Sequence, residues 1–183
     1  MLEFGIVAAV VVVAIMMYNS LVRLRETADG AWADIDVQLK RRYDLIPNLV
    51  ETVKGYASHE ADTLEAVIAA RSASMGAQGP AAKAQAEGML AGALKSLFAL
   101  SEAYPELRAA EGFRDLQGSL EDIEEHLAQA RRYYNAVVRD FNTKTQTFPS
   151  VLIARSFGFS EREFFEISEG EKAVPKVDFS SDG

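Results

Sequence analysis

The chain has no cysteine, which excludes disulfides, thiolate metal sites and a cysteine nucleophile, and fits a cytoplasmic domain. It has two histidines, His59 and His126. A di-iron helical bundle needs two Glu-x-x-His motifs, but the residues three before these histidines are Tyr56 and Ile123. Asp122 lies one turn before His126 and reads as part of a solvated charge cluster with the acidic run up to Glu125. No phosphate-binding loop, dinucleotide fingerprint, nucleophile elbow or H-E-x-x-H zinc motif occurs. There is no basic excess either. The net charge of −8 argues against a nucleic-acid partner. Prolines number only five in 183 residues, and alanine, leucine, glutamate and arginine are plentiful, which favours helix. Alternation of period two, the mark of a half-buried strand, is missing.

A long apolar stretch opens the chain. Phe4 to Met17 carries no charge, and Leu21, Val22 and Leu24 continue the apolar character past Tyr18, Asn19 and Ser20. A membrane-spanning helix needs about 20 mostly apolar residues, and 2–22 supplies that length as the contact with a lipid bilayer. A cleaved signal peptide needs a basic leader and a small-residue cleavage site. Here Glu3 is the one charged residue before the run, and Met16-Met17-Tyr18-Asn19 follows it. The expectation is an uncleaved anchor over 1–24. Arg23 and Arg25 flank its C-terminal end, which predicts the N-terminus outside and the remainder in the cytoplasm.

Beyond the anchor, apolar residues recur at alternating steps of four and three. One series runs Ala28, Trp32, Ile35, Leu39, Arg42, Ile46, Leu49, Val53, Tyr56; another runs Phe113, Leu116, Leu120, Ile123, Leu127, Ala130, Tyr134, Val137, Phe141. Sustained alternation of this kind marks helices packed along a seam. A third helix is expected over 81–103, with Met89 or Leu90, then Ala93, Leu97, Leu100 and Tyr104 as its stripe, and Gly88 and Gly92 as a close helix contact. Ser74 to Pro80 is the interhelical loop. Pro47 removes a backbone donor and presses on the Tyr43 carbonyl, which predicts a kink near 43–47. A helix over 106–148 would be about 65 Å long. The fold class is therefore all-α: an elongated antiparallel helical bundle with one N-terminal transmembrane helix.

From Ser160 onward seven acidic residues stand against Arg162, Lys172 and Lys176, and 159–183 reads as an acidic, partly disordered tail. Ser160 with Glu163 fits a capping box, hence a helix start there.

Arg42 falls on an apolar seam, and a charge there needs a partner. Asp36, Asp44 and carboxylates on another helix are the candidates, with Asn48, Asn135 and Asn142 as further members of a structural polar network. Such a network would fix helix register; a partner-binding surface and a ligand pocket are the alternatives. Arg131 and Arg132 are candidate partner-docking residues.

The chain resembles the LemA family of bacterial membrane-anchored proteins. The resemblance is carried by YNSLVRLRE at 18–26, by the segment from Ala31-Trp32 through IDVQLKRR and DLIPNLV to His59-Glu60, by Ala130-Arg131-Arg132 with Tyr134-Asn135 and Phe141-Asn142, and by Phe148-Pro149-Ser150 with Phe157-Gly158-Phe159. It implies a LemA-like bundle over 25–158, no catalytic residues and no cofactor. The expected function is a non-enzymatic scaffold in the bacterial inner membrane that forms a homo-oligomer or docks an as yet unnamed protein partner. A regulatory adaptor of a membrane enzyme or protease, and a membrane-remodelling protein, are the alternatives.

Overall fold

The computed structural model describes residues 2–166, and everything described is helix or connection. Six helices follow in order: α1 (Leu2–Tyr56), α2 (Ala61–Gly76), α3 (Pro80–Ser101), α4 (Pro105–Ala109), α5 (Glu111–Gln146) and α6 (Ser150–Ser156). An extended segment, 157–166, which we call the strap, closes the described chain.

At about 1.5 Å per residue, the 55 residues of α1 make a rod of about 80 Å. Most of its first part stands clear of the rest, with Phe4, Ile6, Val10 and Met16 among its exposed side chains. From Leu21 on, its inner face is buried. No loop separates the two parts, so the apolar segment and the bundle share one rigid element.

α5 lies antiparallel to α1 along most of its length. Lys144 bonds Ser20, the rings of Tyr134 and Trp32 lie 5.3 Å apart, and Glu124 meets Arg42 at 3.0 Å. The two seams read from the sequence face each other, with Ile35, Leu39, Ile46, Leu49 and Val53 against Phe113, Leu120, Leu127, Tyr134 and Val137. Tyr56 is the exception. It is exposed, and Ala57 takes the buried place at the end of α1, where the helix stops and its geometry no longer applies.

The α2–α3 hairpin turns at Gly79, whose φ of 79° suits glycine. On α3, Leu90 is buried and Met89 exposed, which decides between the two stripe positions. Gly92 does not mark a close helix contact: a side chain added there would meet nothing within 4 Å. The long helix expected over 106–148 is broken at Ala110, which has extended backbone (ψ 124°) and separates α4 from α5. Leu107 on α4 is thereby turned fully into the core.

Pro47 lies within α1, which continues past it. Its missing N–H leaves the Tyr43 carbonyl without its helical donor. Arg71 of α2 supplies one: its Nε donates to that oxygen at 2.8 Å. The proline thus makes a docking point for the neighbouring helix. Arg71→Ala is expected to cost about 1–3 kcal/mol, because it orphans a carbonyl. In a Pro47→Ala background the restored N–H should take that carbonyl and the cost should shrink. Denaturant titration of the four variants in mild detergent tests this; an equal cost in both backgrounds would refute it.

Candidate functional site

Two polar sites lie within the bundle. The first surrounds Arg42, a buried guanidinium on α1. Its partner is Glu87 on α3, whose side chain is 0% exposed, at 3.3 Å, with Glu124 on the rim of α5 at 3.0 Å. Tyr43, next along α1, donates its hydroxyl to the other oxygen of Glu87. Burial raises the Tyr43 pKa strongly, and the hydrogen bond to Glu87 and that carboxylate's charge add to the rise. One arginine, one tyrosine and two carboxylates thus tie three helices at a single level.

Asp36, Asp44 and Asn48 are not part of this cluster. All three are exposed, and Asp44 pairs with Lys40 one turn away at 2.8 Å. The reason is angular. Asp36 and Asp44 follow Ile35 and Tyr43 by one residue, about 100° around the helix, and so point away from the seam that Arg42 occupies. The partner came from another helix. Its signal was present: Glu87, Leu90, Leu94 and Leu97 alternate by three and four, so Glu87 stands on the buried stripe of α3 as Arg42 does on α1.

The second site is a clamp on α5. Asn142 donates through Nδ2 to the Arg162 carbonyl at 2.9 Å and accepts the Arg162 N–H through Oδ1 at 2.8 Å. Asn135 does the same to Phe165, at 3.0 and 2.9 Å. Each carboxamide stands in for a peptide group, since it carries an N–H donor and a carbonyl acceptor on the same carbon. The spacing fits. Seven residues of helix rise about 10.5 Å and three residues of extended chain about 10 Å. Tyr134 adds a hydrogen bond from its hydroxyl to the Glu163 carbonyl at 2.9 Å, and its pKa is raised, chiefly by burial.

The clamp holds the strap in the groove between α1 and α5. Phe165 is completely buried, 5.6 Å from the Trp32 ring, and Phe159 lies 6.3 Å from Phe141. Arg162 pairs with Asp29 of α1. Asn135 and Asn142 therefore do not join the Arg42 cluster; they form a separate site. The helix start expected at Ser160 is absent: Arg162 and Phe165 give their backbone bonds to the asparagine side chains, Glu163 accepts from Tyr134, and the Phe159 N–H reaches back to Ala154. Residues 167–183 of the expected tail lie outside the described residues. Of the two arginines singled out for docking, Arg132 is exposed and Arg131 half-buried. Among the described residues, neither histidine gathers with acidic groups into a metal-ligating set.

Residues 31–179 match the sequence profile of the LemA family, a span that takes in the Arg42 cluster, the asparagine clamp and the strap. This chain belongs to the LemA family. It is also similar to the magnetosome protein MamQ of Magnetospirillum gryphiswaldense, with 28% identity over 86% of this chain and 67% of that one. MamQ 2 of Paramagnetospirillum magneticum is 26% identical over 87% of this chain and 68% of its own length. The LemA protein of Metamycoplasma hominis is 25% identical over 84% and 71%. The family match begins at Ala31, after the apolar segment, so what the LemA relationship describes is the bundle and its strap.

Proposed function

We propose that this LemA-family protein is a non-enzymatic scaffold, anchored in the bacterial inner membrane by residues 2–22, that self-associates or docks partner proteins beside the bilayer. The observation that carries the reading is the unbroken α1, which runs from an exposed apolar segment straight into the bundle core. A rod of this kind fixes the height and tilt of the bundle over the membrane, which suits a platform. Arg42, Tyr43, Glu87, Asn135 and Asn142 are engaged in holding helices and strap together, which suits architecture. The N-terminus-out orientation is supported by Arg23 and Arg25 and, at the same end of the bundle, by Lys144 and Arg155.

Crosslinking in native membranes, followed by size analysis and identification of captured proteins, tests the reading. The expected result is a homo-oligomer, or a reproducible complex, that retains an intact N-terminus. A strict monomer without co-purifying protein would overturn it.

A further inference from the structure

The end of the bundle nearest the apolar segment is built differently from the rest. α6 and the Phe148–Pro149 corner before it pack beside the exit of that segment. Pro149 and Ser150 border a shallow cleft with Val13, Met16 and Met17, and the Phe157 ring lies 4.8 Å from Tyr18. This corner exposes large apolar side chains, Phe148 by 80%, Phe157 by 62% and Leu152 by 57%, alongside Arg155 and Ser156. Other exposed apolar side chains of the bundle, such as Val37, Ile68 and Met89, are scattered over different helices and are ordinary for a protein surface. Three exposed within ten residues, beside the apolar segment, are a local concentration of apolar surface.

Basic residues outnumber acidic ones around the patch, where Asp140 lines a groove with Arg23 and Lys144, Glu161 lines one with Arg155, and Glu26 pairs with Arg25 at 3.2 Å. Residues 18–25 and 141–160 hold Arg23, Arg25, Lys144 and Arg155 and not one aspartate or glutamate, in a chain of net charge −8. Depth completes the argument. The uncharged run Phe4–Met17 spans about 21 Å as helix, some 9 Å short of a hydrocarbon core of about 30 Å. A bilayer that covers the remainder must reach the level of Tyr18 to Val22, and the corner bound there goes in with it. A polar corner would be expelled; this one presents two phenylalanines and a leucine.

We propose that the 148–157 corner is a membrane-seating foot, which inserts Phe148, Leu152 and Phe157 into the interfacial layer of an anionic leaflet while Arg23, Arg25, Lys144 and Arg155 meet its headgroups. The foot rests on the reading that residues 2–22 cross the bilayer. It gives the bundle a second attachment beside the anchor and stops it from swivelling about α1.

The cysteine-free chain makes the test clean, since each introduced thiol is unique. Full-length Phe148→Cys, Leu152→Cys, Val11→Cys and Glu106→Cys variants carry an environment-sensitive fluorophore in phosphatidylglycerol-containing vesicles, with spin-labelled lipids as quenchers. The probes at 148 and 152 are expected to emit blue-shifted light and to lose intensity to shallow quenchers. The probe at 106, at the far end, should behave as in water, and that at 11 should be quenched by deep labels. A lipid-buried probe at 11 with water-like probes at 148 and 152 would overturn the foot alone; a water-like probe at 11 would overturn the anchor. In phosphatidylcholine the blue shift at 148 and 152 should diminish, and an unchanged shift would refute the preference for anionic lipid. Unaltered Trp32 emission confirms that each variant is folded.

Discussion

Arg42→Met should cost this protein about 3–5 kcal/mol, the usual result of removing one member of a buried ion pair. The size follows from what remains. Glu87 is fully enclosed, and without the guanidinium only the Tyr43 hydroxyl faces it. The converse change, Glu87→Met, should cost less, because Arg42 keeps Glu124, which reaches solvent. Replacing both, with Tyr43→Phe to remove the orphaned hydroxyl, should recover most of the loss, since a well-packed apolar substitute for a buried pair is often neutral or better. Urea titration of the single and combined variants in mild detergent measures all of these. An Arg42→Met cost below about 1 kcal/mol, or a triple variant no better than Arg42→Met, would show that the cluster does not work as a unit.

The same cluster has a pH signature. Tyr43 has a raised folded-state pKa against its ordinary 10.0, so its contribution is intact below pH 10 and is lost as the pH rises beyond that value. The alkaline fall in stability should therefore be shallower in Tyr43→Phe.

Phe165→Ala carries the second large expected effect, about 3–5 kcal/mol, the range for deleting a fully buried phenylalanine. The ring fills the groove between α1 and α5 beside Trp32 and Tyr134. Asn135→Ala and Asn142→Ala act on the same strap by a different route and should cost about 1–2 kcal/mol each, as hydrogen bonds to a partly buried backbone do. Trp32 is the sole tryptophan and touches Phe165, so its emission reports strap docking directly. All three variants should shift it, and the two asparagine variants should speed amide exchange at Arg162 and Phe165. Unchanged emission in Phe165→Ala would mean that the strap is not held in the groove.

The two sites differed in how far the sequence disclosed them. Arg42 stood out because a charge interrupted an apolar seam. Its partner was hidden: a carboxylate 45 residues away had to be chosen from many, and nearby Asp36 and Asp44 were attractive only by proximity along the chain. The sequence places the two asparagines with that network, since an asparagine one residue past a seam position does not state what it will bond. The strap was obscured by composition. Its acidic residues dominate any average over 159–183, whereas its fixation depends on Phe165 and on backbone groups that composition does not register.

The heptad alternation, the apolar opening run and the scarcity of proline determined by themselves that this protein is a set of long helices with one exposed apolar end, because helix periodicity and hydrophobic length are local properties of the chain. Which carboxylate neutralises Arg42, which groove Phe165 fills, and which corner lies level with the exit of the apolar segment were decided only in three dimensions. Each depends on the register between α1, α3 and α5, and that register is set by packing among residues far apart in sequence.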